Sequence, residues 1–306
     1  MESSWSENKS QPLFYSPEYL ASAFSYPGAS FYLAPTIYDG STPVAFAAAI
    51  PRRVLLRGRE LTVGIITFLT AARQYKKLGY GIAIWSELVK RARAAGLDGM
   101  VNYGTEGETM NNLIPKCCSM LRLPTAHVCT IPWWSRMLPP SKAASGQSEA
   151  NGQAAENVVE RFLELSLPTR QGPFARLWDR DEANWQCSRR LGSVVANLEV
   201  GPRQGMTVGY VMEVANAART KCLLVEDIFW GDLEENERDM LVKVLLEKAA
   251  IAGAQLAVVP ALGYTGMEAF HRARFRPSRR IQHAYLTVWN GEPFTEALPS
   301  MYLDVF

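Results

Sequence analysis

The sequence predicts an α/β protein made of two tandem copies of one fold, each a twisted, mixed β-sheet flanked by helices. Three observations predict it. Strand-like and helix-like runs follow the order strand, strand, strand, helix, strand, helix, strand, and that order occurs twice. Between the two occurrences lies PPSKAASGQSEANGQAAE, residues 139–156, with no apolar residue larger than alanine. Such a stretch cannot bury a face and is expected to be a flexible linker between domains at 1–138 and 157–306. The length of 306 residues and a hydrophobic content of 48% are enough for two packed cores.

In the first copy, Ser30–Tyr38 and Val44–Leu56 are β-rich runs joined by the turn signal Tyr-Asp-Gly-Ser, and Glu60–Thr70 is a third strand. A helix is expected from Ile82 to about Ala95, with Ile82, Trp85, Leu88, Val89 and Ala92 on one apolar stripe and Gly96 as its terminator. Leu97–Tyr103 reads as a strand, Glu106–Leu121 as a helix interrupted at Pro115, and His127–Trp133 as a strand. In the second half, Val158–Leu165 and Phe174–Arg190 read as helices. Strands follow at Ser193–Val200, Met206–Ala217 and Thr220–Trp230, then a helix from Glu234 to about Ala252 ended by Gly253. Leu256–Pro260 is a short strand, Gly266–Ala273 a short helix, and Ile281–Trp289 the last strand.

Composition narrows the function. A net charge of +2 points to neither nucleic acid nor an anionic membrane as the main partner. No apolar run is long enough to span a bilayer, and MESSWSENKSQ lacks the pattern of a secretion signal. Five cysteines form no disulfide framework, and three histidines with no C-x-x-C give no zinc pattern. A reduced, cytoplasmic protein without a metal is expected.

The stretch QYKKLGYGIAIW, from Gln74, carries the clearest chemistry. A strand running into a glycine-containing turn and then a helix gathers free backbone N–H groups at one point, where the helix dipole favours an anion. Gly79 and Gly81 let backbone and phosphate approach without an intervening Cβ, and Lys76 and Lys77 add positive charge. A pyrophosphate suits such a place. The P-loop pattern fails because no Lys-Ser/Thr follows the glycines, and the dinucleotide pattern lacks its third glycine and its acid. A bare turn at a helix start remains the alternative.

FLTAARQYKKLGYGIAIWSELVKRARAAG resembles motif A of the GNAT superfamily, the acyl-CoA-dependent N-acyltransferases. That motif is a strand, then Arg/Gln-x-x-Gly-x-Gly/Ala, then a helix. Gly79 and Gly81 match it. Lys76 stands where Arg or Gln is usual, keeping the charge and losing the planar donor geometry. The order of elements agrees from about Ser30 to Trp133, and again from about Ser193 to Trp289. The resemblance implies a tandem architecture with one degenerate copy. It implies acetyl-CoA or another acyl-CoA as co-substrate, with its pyrophosphate on Lys76, Lys77, Leu78, Gly79, Tyr80 and Gly81. It also implies that backbone donors near Phe68, Leu69 and Thr70 face the thioester carbonyl. In the second copy the corresponding loop, GDLEENERD, has five carboxylates and one glycine, so it is expected to repel a pyrophosphate.

Acyl transfer to an amine requires a proton acceptor, a polarised carbonyl and a proton for the leaving thiolate. Many family members keep a Glu on the central strand, yet Leu61–Ala72 contains no acid. Glu60, Glu106 and Glu108 are the nearest substitutes, each with a plain surface role as the alternative. The family's leaving-group acid is a Tyr in Asn-x-x-Ala-x-x-Leu/Phe-Tyr-x-x-x-Gly-Phe. Aligning Asn111 to the opening Asn puts Cys118 at the Tyr and Arg122–Leu123 at Gly-Phe. Cys118 is then either a proton donor or a small core residue; Tyr103 and Tyr80 are possible substitutes. The same frame in the second copy gives Phe270, which has no proton to donate. Glu226 and Asp227, on that copy's central strand, are weighed as bases against a structural role. The aromatic run Phe14, Tyr15, Tyr19, Phe24, Tyr26, Phe31 and Tyr32 either packs the core or lines an acceptor or acyl pocket.

The expected function is transfer of an acetyl or longer acyl group to a small amine or amino sugar. Two readings compete: a non-catalytic acyl-CoA-binding protein, and an acyl-thioester decarboxylase on the same scaffold. An acyl carrier protein presents the same phosphopantetheine arm and is the other possible donor.

Overall fold

The computed structural model describes residues 16–72, 74–75, 79–139, 152–215, 219–290 and 294–304. Helix α1 (Pro17–Phe24) starts where the Ser16 hydroxyl accepts from Tyr19 N–H at 3.1 Å, with proline at the first helical position. Then come β1 (Thr36–Asp39), β2 (Thr42–Leu56), β3 (Arg59–Ala71), α2 (Tyr80–Ala94), β4 (Gly99–Thr105), α3 (Thr109–Met120) and β5 (Thr125–Met137). After 140–151, where most of the expected linker lies outside the described residues, the chain forms α4 (Gly152–Ser166), β6 (Phe174–Arg176) and α5 (Arg180–Asn184). The remainder is β7 (Ser193–Val200), β8 (Arg203–Ala215), β9 (Arg219–Phe229), α6 (Glu235–Ile251), β10 (Leu256–Pro260), α7 (Glu268–Arg272) and β11 (Arg276–Val288).

Helix α4 starts at Gly152, ahead of the expected Val158, and β11 at Arg276, ahead of the expected Ile281; three other elements differ for a local reason. Within Ser30–Tyr38 the Ser30 hydroxyl accepts from Tyr32 N–H at 3.2 Å and closes a 3-10 turn, Phe31–Leu33, so the strand starts only at Thr36. The expected helix at Phe174–Arg190 is split. Phe174–Arg176 pairs with Leu56–Val54 of β2, and helix restarts behind a capping box of Asp179 and Glu182, running into a π-helical turn at Trp185–Arg189. Helix α3 continues through Pro115, forgoing the bond that a proline nitrogen cannot make to Asn111.

The chain divides into two compact units. Unit 1 comprises 1–131, 173–177 and 280–306; unit 2 comprises 132–172 and 178–279. In unit 1 the strand order is β1-β2-β3-β4-β11-β5, with β6 also on β2. The β2–β3 hairpin turns through Arg57 and Gly58, with φ of 49° and 82°, the paired positive values of a type I′ turn. Helices α2 and α3 bury Ile84, Trp85, Leu88, Val89, Ile114, Cys117 and Cys118 against Ala45, Ala47, Ala49 and Met100. Each large side chain so buried stabilises by about 1.5–3 kcal/mol, and the small alanines of β2 let the helix backbone come close.

Unit 2 has the order β10-β9-β8-β7, with the Trp133–Met137 end of β5 paired to β10. Its core sets Leu241, Leu245 and Ala249 of α6 and Phe270 of α7 against Leu223, Val225, Ala257 and Val259. Phe162 of α4 packs edge-on against Trp178 and Phe229, at centroid distances of 4.9 and 5.2 Å. Among the described residues no helix is long and apolar enough to cross a membrane.

Candidate functional site

The site of unit 1 is built where two parallel strands part. Strand β3 pairs with β4 only at Val63–Ile65 against Gly99–Val101. Beyond that point β3 runs on to Ala71 and β4 to Thr105, with a gap opening between their C-terminal ends. Among the described residues no further strand pairing joins β3 to β4 past Ile65 and Val101.

Strand β3 is also distorted at this place. Thr67 pairs with Ala48 and Thr70 with Phe46, so Phe68 and Leu69 together stand opposite one residue of β2. Phe68 has φ of 58°. A left-handed conformation costs a non-glycine residue about 1–2 kcal/mol. The surrounding rings hold Phe68 there: Phe24, Phe46 and Tyr19 lie 6.2–6.3 Å from it, centroid to centroid. The β2–β3 register shifts at this bulge, leaving Phe68 and Leu69 out of the residue pairing that resumes at Thr70. Two of the seven residues of the N-terminal aromatic run, Tyr19 and Phe24, are thereby accounted for as part of the wall around the bulge, and Phe14 and Tyr15 lie outside the described residues.

Helix α2 follows, and its start is open. Gly79 is the N-cap, at φ 81°, and no side chain caps the helix. The first helical bonds are Ile82 and Ala83 N–H to Gly79 C=O, both 3.0 Å, leaving the earlier amides without an intrahelical acceptor. A Cβ built on Gly79 or Gly81 would meet nothing within 4 Å among the described residues. Tyr80, the first helical residue, sets its ring edge-on to Tyr75 at 5.6 Å. Lys76, Lys77 and Leu78 lie outside the described residues.

The other expected site residues lie on β4, on the loop after it and on α3, with Glu60 at the start of β3. Tyr103, at the end of β4, donates its hydroxyl to the Asp304 carbonyl at 3.0 Å. Glu106 is exposed, and its N–H donates to Ile281 C=O at 2.8 Å. Glu108 is the N-cap of α3 but makes no side-chain cap bond. Asn111 lies hard on β4: a Cβ on Gly104 would come within 2.8 Å of it, and Tyr285 donates to its Oδ1 at 2.8 Å. Cys118 is only 2% exposed, in the core beneath α3. Burial pushes its thiol up, against hydrogen bonds with Thr125 and Thr287 that pull it down. Glu60 is exposed beside Arg53 at 3.6 Å.

Sequence reasoning missed a buried clamp in unit 1. Asp304 accepts from Arg52 Nε at 2.9 Å and Nη2 at 2.6 Å, and pairs with Arg176 Nη1 at 3.0 Å. The Arg52 guanidinium lies 3.7 Å over the Tyr26 ring, and Arg176 donates to the Tyr26 hydroxyl at 3.2 Å. These residues are far apart in the chain, and no local pattern marks them.

Unit 2 repeats the geometry with its polar groups already occupied. Strand β9 pairs with β10 only at Cys222–Leu224, and Glu226 is bulged out between Val225 and Asp227. The Tyr264 hydroxyl accepts from Ile228 N–H at 3.0 Å and donates to Glu226 C=O at 3.2 Å. Burial foremost, then the charge of Asp227, hold that hydroxyl protonated well beyond its ordinary range. Gln186 donates to Glu226 at 2.9 Å and to Asp227 at 2.7 Å, and Arg190 pairs with Glu226. Helix α6 caps itself, Glu234 and Glu237 forming a capping box and Arg203 bonding Glu237 at 2.6 Å. A shallow depression of about 860 Å³ at this helix start is walled by Glu234, Glu235 and Asp239 among others. Replacing Tyr264 by phenylalanine is expected to cost about 1–3 kcal/mol, because a buried amide and carbonyl lose their partner; chemical denaturation checks it. Among the described residues no group of three or more His, Cys, Asp or Glu side chains is arranged to hold a metal ion.

No protein-family model matches the chain, and no curated protein does. Solved structures do. Saccharomyces cerevisiae N-myristoyltransferase with bound myristoyl-CoA aligns with a TM-score of 0.69 at 13% identity, over 95% of this chain and 75% of that one. A second crystal structure of that yeast enzyme with myristoyl-CoA gives 0.68 at 14%, over 96% and 79%. At these identities the likeness shows the fold: the mixed α/β, GNAT-type architecture expected from the sequence is the one this chain adopts.

Proposed function

We propose that the chain is an acyl-CoA-dependent N-acyltransferase whose donor site lies in unit 1. One observation carries the reading: β3 parts from β4, bulges at Phe68, and leads into a glycine-lined, uncapped helix start. A pyrophosphate at Gly79–Gly81 would take the orphan amides of α2 together with its dipole. The pantetheine arm would then lie along the gap between β3 and β4. Its thioester carbonyl would meet the backbone amides near Phe68, Leu69 and Thr70, the donors that the family resemblance assigns to its polarisation. Lys76 and Lys77, by their position in the sequence, are assigned to the pyrophosphate. The fold likeness to an enzyme solved with myristoyl-CoA bound supports an acyl-CoA donor, and a long acyl chain among the candidates.

Unit 2 is assigned no donor. Its bulge amide is held by Tyr264 and its helix start is closed by its own carboxylates. The acceptor is an amine; a small amine or amino sugar is the reading from sequence.

The experiment is turnover of the full chain with acetyl-, octanoyl- and myristoyl-CoA against glucosamine, spermidine, glycinamide and a short peptide with a free amino terminus. Thiol release that depends on the amine, with a product heavier by one acyl group, is expected. Binding without amine-dependent release would make the chain a non-catalytic acyl-CoA binder. Release of carbon dioxide from malonyl-CoA without amide formation would favour the decarboxylase.

A further inference from the structure

We propose that the imidazole pair His127–His283 takes the proton from the acceptor amine, a role that rests on the transfer reading above. Both residues belong to unit 1, on β5 and β11. His127 Nε2 stands 3.1 Å from His283 Nδ1, and Thr130 Oγ1 lies 3.4 Å from each nitrogen. In such a contact one ring donates and the other accepts. His127 also hydrogen-bonds the Cys129 backbone. Assigning that bond to His127 Nδ1–H leaves Nε2 as the acceptor, so His283 holds its proton on Nδ1 and presents Nε2 as a free lone pair.

The pair stands at the end of the sheet where the gap opens. His283 is opposite Gly104 in the β4–β11 register, within the stretch of β4 that has left β3. Gly104 has Asn111 against it, Asn111 is held by Tyr285, and the Tyr285 ring meets the His127 ring edge-on at 5.4 Å. The earlier candidates are less suited to the task. Cys118 is in the core, Tyr103 gives its hydroxyl to Asp304, and β3 has no acid between Leu61 and Ala71.

Burial first, then the neighbouring His283, hold His127 below the ordinary imidazole range. The titratable residues in contact with His127, besides His283, are Tyr285 on β11 and Cys129 on β5. Burial raises Tyr285 and Cys129, so both stay neutral, and no carboxylate acts on His127. His127 is therefore neutral at neutral pH, and the pair is assigned to accept one proton. As the amine nitrogen attacks the thioester carbonyl, the C–N bond forms and the amine proton passes to His283 Nε2. The C–S bond then breaks and the thiolate takes that proton back from the imidazolium. The sum is acyl-CoA plus amine giving amide plus free thiol.

The test uses the full chain, myristoyl-CoA and glycinamide, read by thiol release, with calorimetry for binding. His283→Gln is expected to lower the limiting rate about 100-fold, within the range of a lost general base, while the Kd for myristoyl-CoA stays unchanged. The rising limb of the pH–rate profile should vanish, and added imidazole should restore part of the rate. With only three histidines, the ring C–H resonances also report the pair directly: His127 should titrate below the ordinary range and move up in His283→Gln. A variant with the wild-type rate and limb, or two rings that titrate independently, would overturn the proposal alone. Wild type that binds no acyl-CoA, or binds it and releases no thiol with any amine, would overturn the transfer reading and the dyad with it.

Discussion

Replacing Asp304 by alanine is expected to destabilise the chain by about 3–5 kcal/mol, the cost of leaving a buried charge without its partner. Asp304 is 5% exposed and answers two guanidinium groups, those of Arg52 and Arg176, which are 4% and 2% exposed. In alanine both cations would face the Tyr26 ring and each other with the shared carboxylate gone. The Tyr103 bond goes to the main-chain carbonyl of residue 304 and is not itself removed, so the loss reports the ion pairs. The control is Glu60→Ala, whose exposed partner Arg53 is 3.6 Å away; such a pair is worth roughly 0–1 kcal/mol. Urea denaturation of the two variants measures the contrast. Equal, small losses would mean that the clamp does not hold unit 1 together.

Gly81→Glu is expected to weaken acyl-CoA binding at least about 100-fold, or about 2.7 kcal/mol, with no loss of stability. A Cβ at this position meets nothing within 4 Å. Glutamate replaces glycine in the first turn of α2, where it gains roughly 0.5–1 kcal/mol of helix propensity and a few tenths from the dipole. It also puts a carboxylate where the pyrophosphate would sit, reproducing what Glu234 and Glu237 do at the start of α6. Gly79→Glu is a poorer probe, since φ of 81° strains any side chain and would mix misfolding with lost binding. Unchanged affinity in a folded Gly81→Glu protein would remove the pyrophosphate from this helix start.

The parts of the fold legible in the sequence are those set by local periodicity. The apolar stripe Trp85, Leu88, Val89 and Ala92 is buried as its spacing requires, and the β-rich runs of β2, β3 and β9 are strands within one or two residues. Hydrogen bonds of single side chains defeated the reading elsewhere. Ser30 closes a turn at the head of an apparent strand, and Asp179 restarts a helix in what looks like one continuous pattern.

The candidate site was legible where its chemistry is local. Gly79 and Gly81 at a helix start, and the carboxylates of GDLEENERD, state their electrostatics in the sequence itself. The bulge at Phe68 does not, because rings from α1 and β2 hold that residue left-handed against its own preference. The tyrosine at 264 likewise has no sign of its link to Ile228. His127 and His283 are 156 residues apart and meet only through strand pairing, as Arg52 and Asp304 meet across 252.

The most direct test of the donor site is calorimetric titration of the full chain with free coenzyme A, acetyl-CoA, octanoyl-CoA and myristoyl-CoA, wild type beside Gly81→Glu. The account predicts one site per chain, bound through the pyrophosphate in every ligand and lost in the variant. Two sites per chain, or binding that Gly81→Glu leaves intact, would contradict it.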